Sequence, residues 1–297
     1  MGGFEGHLYP GLSFFLYGLH QARLVSRALL WDSPAQCPQR GAQDRGARAR
    51  LQRACSVGSL KILSACILVA QEVHSVPRQF VLLTKMYHER SFMYRKQWQH
   101  VTLYASFLLS GCVDLASQHL LPRRCAGLEQ AAQALGMSIF LPLMLSHMQD
   151  TEGVELRSHA LLTQAMFLLT LVLTAELWAP DEPRLWVLKA FLSTVTGSWL
   201  IQMGFMLYRP ISGYKWMDDD QSDLAFVTTS FCGHMVLAAI LMIWIHGCSW
   251  VWYSHVSASA RRPRAPAAPA SQACAFTSTP PPRPKCWNKQ LHPALSA

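Results

Sequence analysis

Six stretches of the chain run without Asp, Glu, Lys or Arg or are interrupted once: Gly6–Ala22, Val101–Val113 (reaching Leu121 if Asp114 is tolerated), Gln130–Gln149, Ser158–Ala175, Ala190–Tyr208 and Leu224–Ala260. A seventh, Ala54–Gln71, is broken by Lys61 and closed by Glu72, and is the weakest of the set. A helix needs about 20 apolar residues to cross a bilayer core. The pattern therefore predicts an all-α, multi-pass transmembrane helix bundle of seven spans over residues 1–256. A soluble helical protein would show apolar stripes backed by polar faces. The segment "LAAILMIWIHGCSWVWY" (Leu237–Tyr253) is apolar all round, which assigns lipid rather than water as its surroundings.

The first stretch could also be read as the apolar part of a secretory signal. Its leading residues hold Glu5 and no Lys or Arg, and no clean small-x-small cleavage site follows, so a retained first helix is the better reading.

Composition agrees with a membrane protein. Charged residues make up 14% of the chain, against roughly 25% in an ordinary soluble domain. The net charge of +9 sits in loops and the C-terminal tail, so anionic headgroups are a simpler partner than nucleic acid, for which no motif is present. Lys and Arg accumulate on cytosolic loops. With seven spans they divide fifteen to eight in favour of an outside N-terminus and a cytosolic tail, although the basic loop Arg78–Lys96 counts the other way.

Between the first two spans, Asp32–Arg53 has the Gly, Ala, Arg and Gln content of a solvated loop. Residues 257–297 are rich in Pro, Ala and Ser and are expected to form a disordered tail. Within that tail "PPPRPK" (Pro280–Lys285) fits a polyproline ligand for an SH3-type partner. The nine cysteines form no CxxC pair, and Cys66, Cys112, Cys232 and Cys248 read as small buried hydrophobes. Asn288 is the single Asn, so the chain holds no N-glycosylation acceptor.

Ionisable groups at membrane depth are costly and usually face a partner inside the bundle. Those in the spans are His7, His20, His100, Asp114, His147, His159, Glu176, His234 and His246. His100 and Asp114 are fourteen residues apart, which places them on one helix face but about 21 Å apart along it. Each needs a partner on another helix; for Asp114 that partner is expected to be a hydroxyl or a His. Glu155 and His159 are one turn apart, and His147 ends the preceding span, so the three can converge at one membrane surface. His100, His147, Glu155, His159 and His234 together form a candidate metal or haem set or a proton relay. The alternative is structural: imidazoles that donate to carbonyls or rest at the interface. No GxSxG, HExxH or phosphate-cradling glycine loop is present, so the residues point to no particular enzyme.

The motifs "GHLYPG" (Gly6–Gly11), "WQH" (Trp98–His100) with "SGCVD" (Ser110–Asp114), "GSWLIQMGFMLYRP" (Gly197–Pro210) and "DLAFVTTSFCGH" (Asp223–His234) resemble the transmembrane protein 45 family, especially its transmembrane epididymal branch. The resemblance runs from about Met1 to Tyr253. It implies a seven-span protein of Golgi, endosomal or other cellular membranes, without a shared reaction. It carries the family's histidines onto His7, His100 and His234, and its His-x-His, acidic, His pattern onto His147, Glu155 and His159. Gln149 stands in the place of the second histidine of that pattern, and Gly233 where an aromatic is usual. The function this implies is a non-enzymatic interaction or trafficking component; the rival is a histidine-lined site serving an enzyme or carrier.

Overall fold

The computed structural model describes residues 3–31, 57–76, 83–86, 89–122, 124–210, 213, 216–218 and 220–261. Its elements are α1 (Phe4–Trp31), α2 (Val57–Ser75), β1 (Leu83–Met86), β2 (Glu89–Phe92), α3 (Arg95–His119), α4 (Ala126–His147), α5 (Gly153–Trp178), α6 (Pro183–Tyr208) and α7 (Gln221–Arg261). A single 3-10 turn, Met148–Asp150, joins α4 to α5. The loop Asp32–Arg53 and the PPPRPK segment lie outside the described residues.

All seven expected helices are present. Five (α2, α4, α5, α6 and α7) are long and apolar enough to cross a membrane. The two outside that set are α1 and α3, whose polar residues dilute them: Glu5, Arg23 and Arg27 in one, Arg95, Lys96 and Asp114 in the other. Their lengths of 28 and 25 residues correspond to about 42 and 38 Å, more than a bilayer core of about 30 Å. The segment expected to be weakest, α2, is thus among the five. Lys61 and Glu72 do not spoil it because both point inward to partners on α3. One addition to the all-α expectation is the antiparallel hairpin β1–β2, in the loop between α2 and α3, with Leu83 opposite Phe92 and Met86 opposite Glu89.

Local sequence sets several helix ends. Pro183 opens α6, where its missing N–H costs nothing, and the Glu182 carboxylate accepts from the Arg184 N–H at 3.4 Å. Gly153 opens α5 with φ of 52°, and a Cβ there would overlap Asp218, whose side chain accepts from the Val154 N–H.

Two close antiparallel crossings organise the bundle. α1 lies along α6, where a Cβ on Gly197 would overlap the Phe15 main chain and one on Gly18 would overlap Thr194. α2 lies along α3 in the same manner, with Gly58 against Asp114 and Gly111 against Ile62. Small residues let backbones approach in lipid, where packing and hydrogen bonds rather than water expulsion drive association. Between these pairs Met137, Leu162, Met166, Leu169, Trp199 and Met203 form the interior, and the Trp199 indole donates to the Ser158 carbonyl at 3.1 Å.

The outer faces are apolar: Ile243 is 73% exposed, Trp252 69% and Leu63 58%. Surfaces of this kind belong in hydrocarbon and exclude a water-soluble bundle. Cys66, Cys112, Cys232 and Cys248 are also on outer faces, which corrects the expectation that they are buried. An apolar run does not reveal which side of a fully apolar helix faces its neighbours. α7 buries Val227, Phe231 and Ala238 near its start and then runs on with apolar residues exposed.

Candidate functional site

Successive helices alternate in direction, so the first turns of α1, α3 and α5 and the last turns of α2, α4 and α6 gather at one face of the bundle. That alternation collects His7, Glu72, His100, His147 and His159 from five different helices. His7 Nε2 stands 3.5 Å from His159 Nε2. The His147 ring lies 5.3 Å from that of His159 and 5.3 Å from that of His100, centroid to centroid. His7, His147 and His159 are buried, and His100 is mostly so. Tyr208 and Tyr104 flank the group, at 5.2 Å from His7 and 6.1 Å from His100.

The four rings share one hydrogen-bonding pattern. His7 Nδ1 faces the Gly3 carbonyl at 3.3 Å, and His159 Nδ1 faces the Glu155 carbonyl at 2.8 Å. His100 Nδ1 faces the Glu72 carboxylate at 2.6 Å. His147 Nδ1 faces Gln99 Oε1 at 3.3 Å, with the amide oriented by the bond from Gln99 Nε2 to Ser146 at 3.0 Å. An oxygen acceptor requires Nδ1 to be the donor, which leaves the Nε2 lone pair of a neutral imidazole available for a ligand. Tying one ring nitrogen to a carbonyl or carboxylate is also how metal-ligating histidines are oriented.

The expected set is therefore partly assembled. His100, His147 and His159 come together, and His7, expected only as an intramembrane polar residue, joins them. Glu155 enters through its carbonyl; its carboxylate makes no hydrogen bond to the rings among the described residues. His234 stacks edge-on against Trp199 at 5.7 Å and shares no contact with the other four among the described residues. Glu72 is the member that sequence reasoning missed, because a charge at the end of an apolar run reads as a boundary. The signal that could have found it is the antiparallel order of complementary groups, Lys61 then Glu72 on one helix against Asp114 then His100 read backwards on the next. Among the described residues no three His, Cys, Asp or Glu side chains already stand in a full ligand constellation; His7 and His159 are the pair at ligand spacing.

Farther along the bundle, Asp114 pairs with Lys61 at 2.9 Å, and Lys61 also donates to Ser110 at 3.1 Å. This corrects the expectation of a hydroxyl or His partner for Asp114: a hydroxyl is present, but it is bound to the lysine. Glu176 pairs with Lys189 at 2.6 and 2.8 Å. Lys189 is buried, so it leaves the count of cytosolic basic residues. A cavity of about 530 Å³ has the four histidines in its lining and is walled by Phe107, Met137, Met166 and Leu169, with Lys61 and Ser193 also among its polar lining.

Residues 126–247 match the family described as "Family of unknown function (DUF716)". Over 261 residues the chain is 44% identical to "Transmembrane epididymal protein 1A" of Mus musculus, covering 88% of this chain and 85% of that protein. It is 44% identical over 253 residues to "Transmembrane epididymal protein 1" of Rattus norvegicus, covering 85% and 83% of the two chains. The Homo sapiens "Transmembrane epididymal protein 1" is 47% identical over 205 residues, covering 69% and 75%. The chain belongs to the transmembrane epididymal protein family. The resemblance seen in the motifs is thereby confirmed, and the membrane setting of the family agrees with the apolar helix surfaces. The matched stretch 126–247 spans α4 to the middle of α7 and includes His147 and His159, whereas His7, Glu72 and His100 come from the preceding helices.

Proposed function

We propose that this member of the family is a seven-span membrane protein that binds a divalent transition-metal ion of the zinc type through His7 and His159, with His147 and His100 completing the site. The observation that supports this most is the facing pair of Nε2 atoms, 3.5 Å apart, whose Nδ1 partners are both carbonyl oxygens. With both Nδ1 atoms donating to carbonyls, the two Nε2 atoms need either a shared proton or a metal ion between them. Two imidazoles on one tetrahedral zinc, with bonds of about 2.0–2.1 Å, place their nitrogens about 3.4 Å apart. Imidazole nitrogens suit zinc, copper, iron and nickel. A porphyrin, which needs its axial nitrogens on opposite sides of a flat macrocycle, fits the crowded quartet less well than a single ion.

The alternation of helices and the basic-residue count, now fourteen to eight without Lys189, support a centre near the extracytosolic face and a cytosolic C-terminus. Placement in Golgi, endosomal or plasma membrane follows the family resemblance, and an SH3-type partner for Pro280–Lys285 rests on its sequence alone.

Elemental analysis of the detergent-purified chain tests the metal site. About one zinc or substituted cobalt per chain is expected, lost in His7→Ala and His159→Ala and kept in His234→Ala. Folded protein that takes up neither ion would sink the proposal, leaving the four rings as a shared-proton or structural cluster.

A further inference from the structure

We infer that the cavity beside the histidines takes a single-chain lipid of the fatty-acid class, entering sideways from the bilayer between α1 and α2 with its oxygen head group toward the histidines. The head-group end rests on the metal reading above; the chain end stands on the cavity itself.

Two observations carry the inference. The first is the mouth. α1 packs along α6 and α2 along α3, but α1 and α2 meet only sparsely. They are held together at the histidine end, where Gln71 donates to Glu5 at 2.8 Å. Away from that bond the cavity is lined by Leu16 of α1 and by Leu60, Leu63 and Ile67 of α2, all more than half exposed. In a bilayer these side chains face acyl chains, so the opening leads to lipid rather than water.

The second is shape. Gly204 packs against His7 and Ser193 lies eleven residues earlier on the same helix, so the cavity extends about 16 Å along the membrane axis. Its volume of about 530 Å³ lies within the roughly 300–1,000 Å³ of ordinary small-molecule sites. The walls along that length are mostly apolar, which matches an extended chain, and the four histidines stand at one end.

The experiment uses the full chain in nanodiscs with a palmitic acid carrying a diazirine and an alkyne. Crosslinks are expected on peptides bearing Leu63, Met137 or Met166, competed by unlabelled palmitate. Leu63→Trp with Ile67→Trp, two exposed positions at the mouth, should lower capture at least tenfold while the elution profile of the folded protein is unchanged. Labelling spread evenly over lipid-facing α7 residues such as Ile243 and Trp244 would overturn the inference, as would capture of a photoreactive sterol in preference to palmitate. Zinc is measured in the same samples. Zinc bound without cavity labelling defeats the lipid inference alone; cavity labelling without zinc defeats the metal reading and upholds the chain site.

Discussion

Removing one member of the Lys61–Asp114 pair should destabilise the bundle more than removing both. Asp114 is 4% exposed and its carboxylate lies 2.9 Å from the Lys61 ammonium. At an effective dielectric constant of about 20, unit charges at that distance attract by about 6 kcal/mol, most of it offset by the cost of taking both ions out of water. Losing one partner leaves the other buried and uncompensated, a change worth about 3–5 kcal/mol, whereas apolar residues of similar volume in both places come out near neutral. Asp114→Leu and Lys61→Met are the single variants, and the two together close a double-mutant cycle. The assay is thermal stability in detergent at a fixed heating rate, read as loss of the monodisperse elution peak. At about 2–4 °C per kcal/mol for chains of this order of size, each single change lowers the midpoint by about 6–20 °C. The double variant should recover at least half of the larger loss. If the double variant falls by the sum of the two single losses, the residues are not coupled and the pairing that aligns α2 with α3 is refuted.

The α1–α6 crossing predicts a sharp contrast between two glycines. Gly197→Val puts atoms into the Phe15 main chain and should cost several kcal/mol, seen as a lost folded peak; Gly247→Ala meets open space and should be neutral or gain up to about 1 kcal/mol from helix propensity. The exposed thiols report the solvent around the bundle. A nitroxide on Cys66 or Cys248 should relax faster with oxygen than with a water-soluble nickel chelate, and the reverse order would place those faces in water.

The polar residues show how far a sequence can be read. Five helices were legible as apolar runs of spanning length, and α1 and α3 as shorter runs bounded or broken by charges; in a bilayer such runs can satisfy their backbone only as helices. His147, Glu155 and His159 were expected to be able to converge because a short turn joins their helices; the two rings lie 5.3 Å apart, while among the described residues Glu155 reaches them only through its carbonyl. His100 and Asp114 were expected to share a face, and both in fact face α2. Glu72 and Lys61 were legible only as defects in a span. A charge looks the same in sequence whether it ends a helix at the interface or pairs across the interior. His234 was grouped with the other histidines by residue type and motif alone, and packing against Trp199 separates it from them.

The order of apolar runs by itself determined that this chain is a multi-pass helical membrane protein, and its motifs determined the family. Which imidazoles meet, which charges pair, and where space is left between the helices depended on how each helix is rotated and how deep it sits. Those quantities are set by glycine contacts such as Gly197 on Phe15 and Gly58 on Asp114, between residues far apart along the chain. A helix that is apolar on every side carries no preferred face of its own, so its orientation comes only from the neighbours it packs against.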